Sequence, residues 1–285
     1  MIELQNVTFK YRKGAEALRS VSATLHEGTY LMLGENGAGK TSLLKVMCGL
    51  IVPQTGRCLI DGLNVDSRSA EALSRVFFLG DETCFPAPDI HSMVLCHAPF
   101  YPTFSAEVLR DCLAAFGFTG TERLDRMSLG MRRKAMLAYA ISLRTDLLLL
   151  DEPANGLDIN SKQILARLLA RHSREGQTVV VSTHTVQDLE YLFDGLLYIS
   201  HGEMILDASI ECISNALEFA TSPMPLDGAL YQEAFAGLYR GLLPAIPDAP
   251  ADSRPDLSLL YNALCSPSRD NILSIINSTP HDLCC

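Results

Sequence analysis

The chain has 285 residues, 48% hydrophobic and 20% charged, which supplies a large buried core and excludes the composition of a disordered polypeptide. Its 23 Lys and Arg against 33 Asp and Glu leave a formal charge of −10, which argues against general electrostatic capture of nucleic acid or anionic lipid. No run approaches the roughly 20 apolar residues of a spanning helix. Met1-Ile2-Glu3-Leu4 carries neither a basic leader nor an apolar signal segment, and the nine cysteines include no C-x-x-C pair; free thiols in a reducing, cytoplasmic setting are the expectation.

Ile2, Leu4, Val7 and Phe9 predict an early strand, and residues 29–33 a second. A glycine-rich turn and an apolar-periodic helix over 41–50 follow. Short apolar runs at 76–79, 147–150, 179–182 and 196–199 read as buried strands. Helical patterns lie between and after them at 106–116, 132–143, 161–174 and 186–192. Strands alternating with helices predict an α/β fold with a mostly parallel core sheet. Eight of the 14 prolines fall after residue 212, so a boundary is placed there. It leaves a 213–285 extension with a Pro-rich section around 244–250 and helical patterns at 231–243 and 257–264.

The strand ending at Leu33 runs into Gly34-Glu35-Asn36-Gly37-Ala38-Gly39-Lys40-Thr41, with Ser42 next. This matches G-x-x-x-x-G-K-[ST] at every fixed position, in the strand–loop–helix setting that the motif requires. Glycines let backbone N–H groups curl around phosphates, and the helix start adds its positive end. Lys40 brings a mobile charge and Thr41 a hydroxyl for Mg²⁺. A glycine-rich turn that merely precedes a lysine is the plainer alternative, and the context disfavours it. The reading is a nucleoside triphosphate site with Mg²⁺.

Leu147–Leu150 ends abruptly in Asp151 and Glu152, and Pro153 stops the strand. Alone, this could be a solvated acidic turn. Beside a phosphate loop, Asp151 is placed to hold the metal and Glu152 to polarise an attacking water.

These residues carry a family resemblance. Leu147–Glu152 with Pro153, then Asn155-Gly156-Leu157-Asp158, resembles the Walker B and D-loop run of ABC-type ATPases. Ser182-Thr183-His184 resembles their switch histidine, Asp194 and His201-Gly202-Glu203 the closing segment of the core domain, and Met127-Ser128-Leu129-Gly130-Met131 their signature. The resemblance spans roughly residues 1–212. It implies a P-loop NTPase fold with an N-terminal antiparallel β part and a helical subdomain inserted at about 83–145. It also implies Tyr11 stacking on adenine, Ser128 and Gly130 meeting a partner's γ-phosphate, and Asp158 and His184 at the nucleotide. Two departures stand out. Leu129 and Met131 replace a glycine and a glutamine of the usual signature, a form that resembles small bacterial export ATPases, as does Pro99-Phe100-Tyr101-Pro102-Thr103-Phe104. Asp81 stands where the family has a glutamine near the metal.

What the resemblance implies is an ATP-hydrolysing subunit that dimerises with a second ATPase subunit. It would sit on the inner face of the cell membrane against a separate transmembrane permease, which docks near 85–104, with no nucleic-acid partner. A non-transport ABC ATPase of ribosomes or DNA, and a nucleotide-binding regulator with low turnover, are the alternatives. Other signals have plainer readings. Cys84, His91, Cys96 and His97 lack zinc spacing. Arg132-Arg133-Lys134 reads as a solvated helix turn, with a basic patch near the nucleotide as the alternative, His172 as a capping or solvated residue, and Arg12-Lys13 equally as an exposed loop or a phosphate contact. Cys284-Cys285 lacks a lipidation motif.

Overall fold

The computed structural model describes residues 1–12, 14–81, 88–184, 190–245 and 255–278. Two compact units emerge, residues 1–184 with 197–205, and residues 185–196 with 206–285.

In the first unit the chain opens with β1 (Ile2–Lys10), β2 (Glu16–Leu25) and β3 (Gly28–Leu33), then α1 (Lys40–Met47), β4 (Thr55–Ile60), β5 (Leu63–Asn64), α2 (Ala70–Ser74) and β6 (Val76–Leu79). Three helices follow: α3 (Ile90–His97), α4 (Ala106–Ala115) and α5 (Leu129–Leu143). The chain then returns to β7 (Leu147–Asp151), α6 (Ile159–His172) and β8 (Thr178–Ser182); β9 (Gly195–Ser200) and β10 (Glu203–Ser209) belong to this unit only over residues 197–205. Strands β2-β1-β4-β5 form an antiparallel sheet, while the larger sheet has the order β10-β9-β3-β8-β7-β6. β3, β8, β7 and β6 run parallel.

The expected strands all form, and β2 and β4 add to them. Ile2, Leu4, Val7 and Phe9 face inward from β1 and join Leu43, Leu44 and Met47 of α1 and Leu147, Leu149, Val180 and Leu197 of the larger sheet in one core. Each such side chain stabilises by about 1.5–3 kcal/mol on burial. Leu147–Leu150 and Val179–Val181 are all at most 2% exposed, because the strands are covered on both faces. α1 stops at Met47 rather than 50: Gly49, at φ 71°, turns the chain into the left-handed region.

Register decides where the site falls. Met32 of β3 and Asp151 of β7 both pair with Ser182 of β8, and Leu150 pairs with Leu79 of β6. The carboxyl ends of four parallel strands therefore share one edge, the edge where open α/β sheets hold ligands.

The second unit holds α7 (Ile210–Ala216), β11 (Leu217–Ser222), β12 (Tyr231–Phe235), β13 (Leu238–Pro244), α8 (Leu257–Leu264) and α9 (Arg269–Ser278). The helix expected at 231–243 is instead a hairpin. Phe235 pairs with Leu238, and the two residues between, Ala236 and Gly237, have φ 51° and 81°, the geometry of a tight two-residue hairpin turn. The helix at 257–264 forms as expected. Of the 186–192 pattern only a 3₁₀ turn at Glu190–Leu192 is described; 186–189 and 247–250 lie outside the described residues. Among the described residues no helix is long and apolar enough to cross a membrane.

Candidate nucleotide site

Backbone geometry builds the loop between β3 and α1. A Cβ on Gly34 would lie 2.3 Å from the Ile199 carbonyl oxygen, and one on Gly39, at φ 112°, 2.5 Å from that of Ala17. Only glycine fits either position. Gly39 caps α1 without a side-chain hydrogen bond, so the first N–H groups of the helix are left for an anion.

Lys40 is 8% exposed and donates from Nζ to the carbonyls of Gly34 at 2.5 Å and Glu35 at 3.1 Å. Burial lowers its pKa, while the Glu152 and Asp151 carboxylates pull it back up. The lysine is thus a cation held in the loop by neutral acceptors, which a phosphate would replace with charged ones. Thr41 Oγ1 donates to Asp151 Oδ2 at 2.7 Å, and the Ser182 hydroxyl donates to Asp151 Oδ1.

Glu152 follows in a left-handed conformation, φ 48°, with its N–H donating to the Ser182 carbonyl at 2.8 Å. His184 Nδ1 lies 2.9 Å from Glu152 Oε1. The other carboxylate oxygen, Oε2, is buried with no hydrogen-bond partner among the described residues.

Tyr11, Glu35, Asn36, Gly37, Ala38, Gly39, Lys40, Thr41, Ser42, Asp81, Asp151 and Glu152 all line one cleft of about 620 Å³. Tyr11 stands 46% exposed, edge-to-face with Phe9 at 4.7 Å, its hydroxyl 3.2 Å from Ser42 Oγ. Asp81 lies 3.4 Å from Arg133 Nη1 and accepts from Asn155 Nδ2 at 3.5 Å.

Ser128, Gly130 and Asp158 are not among the residues that line the cleft. Ser128 caps α5, accepting from the Met131 N–H at 3.3 Å. A Cβ on Gly130 would lie 3.2 Å from the Gly156 carbonyl, so α5 starts against the turn after β7. Asp158 caps α6 through the Ser161 N–H at 2.8 Å and pairs with Lys134 at 3.0 Å. The Ser161 N–H bond, then the bond to Lys134, hold its carboxyl down at about 2.

The basic triplet departs from the expected solvated turn. Lys134 pairs with Asp158, Arg132 Nη2 donates to the Met127 carbonyl at 3.3 Å, and Arg133 is buried at 3% exposure. The signal was available: Arg133 shares a helical face with the buried Met136, Leu137 and Ala140. Ser182, which in sequence only opens the switch-histidine run, also holds the Asp151 carboxylate, a role that a strand-end serine does not signal by any pattern. His97 packs among Phe77, Tyr101 and Tyr139, 2.9 Å from the Tyr139 hydroxyl, and burial lowers its pKa. His172 meets Asp111 at 2.8 Å. Lys13, Glu82, Cys84, Phe85, Cys284 and Cys285 lie outside the described residues.

A family model described as ABC transporter matches residues 18–155. NatA, an ABC transporter ATP-binding protein of Bacillus subtilis, is 30% identical over 210 residues, covering 71% of this chain and 85% of NatA. EcfA of Methanosphaera stadtmanae, an energy-coupling factor transporter ATP-binding protein, is 29% identical over 249 residues, covering 82% of this chain and 89% of EcfA. A solved ATP-binding subunit of an ABC transporter shares the fold at a TM-score of 0.68 and 21% identity, over 75% of this chain and 91% of that one. The ATP-binding cassette MJ0796, solved as a post-hydrolysis dimer with ADP and Pi, has a TM-score of 0.62 at 23% identity, over 73% of this chain and 98% of its own.

A phosphate loop facing a strand-end carboxylate pair on a parallel sheet defines a P-loop ATPase. The chain belongs to the ABC transporter ATP-binding proteins, and the reaction of this family is ATP hydrolysis.

Proposed function

We propose that the chain works as one of two ATPase subunits that close on ATP and drive a separate membrane-embedded permease. The observation that supports this reading is the separation of two half-sites on one chain. Lys40, Thr41, Asp151 and Glu152 line the cleft, while Ser128 and Gly130 start a different helix and do not line it. On one chain the phosphate loop and the helix start at Ser128 do not share a cleft. Two copies, or this chain and a related one, complete both.

Residue chemistry supports the roles. Thr41 Oγ1, the buried Asp151 carboxylate and the unpartnered Glu152 Oε2 form the oxygen-rich donor set that suits Mg²⁺. Thr41 and Asp151 would hold the ion, with Asp81 toward its water; the bound ion would neutralise phosphate charge. Lys40 holds the β- and γ-phosphates, and residues 34–39 and Ser42 cradle them. Tyr11 offers its ring to the base. Glu152 takes the proton of the attacking water, and His184, already on Glu152, orients water and γ-phosphate. Asp158 joins Ser128 and Gly130 on the face that meets the partner.

The permease contact falls on the helical segment between β6 and β7. There, Ile90, Val94, Phe104, Leu109, Leu113 and Phe118 line an apolar groove of about 460 Å³, with Leu95 and Phe100 exposed beside it. Such a groove would fit a short amphipathic helix of the permease, which supports our reading of a subunit on the cytoplasmic face of the membrane. Export is the direction we take from the Ser128-Leu129-Gly130-Met131 signature. A regulator with low turnover is the second reading, favoured by the engagement of Asp81 with Arg133.

The test is twofold. Tagged full-length chain should recover a multi-span membrane protein from solubilised membranes, and the purified chain should hydrolyse ATP in a manner abolished by Lys40→Ala. Recovery of ribosomes or DNA instead would overturn the transport reading, and absence of turnover would favour the regulator. ATP-driven accumulation of substrate in inside-out vesicles tests the direction.

A further inference from the structure

Arg133 sits in the second turn of α5, five residues beyond the cap Ser128. Its Nη1 donates to the carbonyls of Gly80, at 3.3 Å, and Asp81. Its Nη2 donates to those of Asp151, at 3.0 Å, and Glu152, at 2.5 Å. The Asp81 carboxylate lies 3.4 Å from Nη1. Gly80 and Asp81 follow β6, and Asp151 and Glu152 end β7. These strands are parallel neighbours in register, so one planar guanidinium spans both strand ends.

A charge 3% exposed is costly to bury unless its donors are satisfied. Four carbonyls and a carboxylate take up the donors of its two Nη groups. A rigid fork that binds several acceptors also fixes their relative positions, which a lysine's point charge does not. The acceptor that matters most is the Glu152 carbonyl. Glu152 occupies the left-handed region at φ 48°, where a non-glycine residue persists only if its surroundings hold it. Its N–H is fixed on Ser182 and its carbonyl on Arg133. With both backbone polar groups tied, the Cα–Cβ bond of Glu152 is fixed at the strand end, and the carboxylate reaches His184 at 2.9 Å from there.

We propose that Arg133 is a positioning residue for hydrolysis: from α5 it fixes the backbone of Glu152, and with it the aim of the Glu152 carboxylate. This rests on the reading of Glu152 as the general base. Arg133 does not line the nucleotide cleft, so its effect falls on turnover more than on ATP affinity.

The experiment uses full-length protein and reads kcat, KM, affinity for a fluorescent ATP analogue, and thermal melting. Arg133→Gln should keep nucleotide affinity within about twofold and lose at least about tenfold in kcat, part of the 10²–10⁴ that a general base supplies. Arg133→Lys retains the buried charge with fewer directed donors, and should recover melting temperature more fully than kcat. In the double variant with Glu152→Gln, Arg133→Gln should add less than about threefold, because its effect passes through a base already removed.

A wild-type kcat in Arg133→Gln, or losses that multiply in the double variant, would overturn the proposal while leaving Glu152 as the base. Wild-type turnover in Glu152→Gln would remove the base assignment and this proposal together. If Arg133→Gln fails to fold, Arg133→Lys carries the test: unchanged affinity with reduced kcat supports the proposal, and unchanged kcat overturns it.

Discussion

Thr41 and Asp151 stand 110 residues apart in sequence and meet hydroxyl to carboxylate at 2.7 Å. The contact joins the first turn of α1 to the end of β7, and both residues line the cleft. Asp151 is 4% exposed, and the Ser182 hydroxyl occupies its other oxygen.

Asp151→Asn keeps the shape but turns one accepting oxygen into a donor and removes the charge that a divalent cation needs. The expected result is loss of the Mg²⁺-dependent part of ATP binding, with the residual affinity equal in Mg²⁺ and in chelator. Nucleotide titration in both buffers reads this, and an undiminished Mg²⁺ effect would place the cation elsewhere.

Glu152→Gln should bind MgATP normally and hydrolyse it about 10²–10⁴-fold more slowly. With the carboxylate neutralised, repulsion toward ATP also falls, and a closed dimer should accumulate. Gel filtration with MgATP beside a turnover assay shows both effects. A monomeric variant that turns over at the wild-type rate would shift the base to His184 acting through water.

Ser128→Arg should leave the subunit folded and able to bind ATP, yet block closure by overfilling the shared site. Mixed with Lys40→Ala, it should form dimers in which one composite site carries both lesions and the other carries neither. A nucleotide-trapping assay counts the intact sites. Trapping no greater than in either variant alone would contradict a site shared between subunits.

Asp158 gives a pH signature. Its folded-state carboxyl is held at about 2, below the ordinary 3.8, first by the Ser161 N–H and then by the Lys134 bond. A depressed carboxylate stabilises fully above its unfolded pKa and loses that contribution as pH falls through its folded one. Asp158→Ala should therefore melt below wild type at pH 7, and the difference should narrow as pH falls from 3.8 to about 2. Asp158→Asn should retain most of the stability, since asparagine caps a helix as well as aspartate does. A difference between wild type and Asp158→Ala that is constant from pH 7 to 2 would contradict this account.

The phosphate loop, the acid pair and the buried strands were legible in the sequence because each is a local pattern: fixed spacing in residues 34–41, an apolar run ending in two acids, and alternation in β1. The helix expected at 231–243 failed because apolar spacing alone does not show that Ala236 and Gly237 both take positive φ; the turn, not the periodicity, decided between helix and hairpin.

Order along the chain could name Lys40, Asp151, Asp81 and His184, but not their convergence. Only the register of four parallel strands brings their carboxyl ends to one edge. Arg133 shows the difference most clearly. In sequence it is the middle of a basic triplet, and the hydration of charge predicts a solvated turn. In the fold, α5 turns that residue inward, where the open carbonyls of two strand ends offer it the hydrogen bonds that water would have supplied. The sequence by itself determined the chemistry of the nucleotide loop and the class of the fold. The tertiary structure decided which charges are buried and what they hold, because burial and hydrogen-bond satisfaction belong to surfaces brought together across the chain.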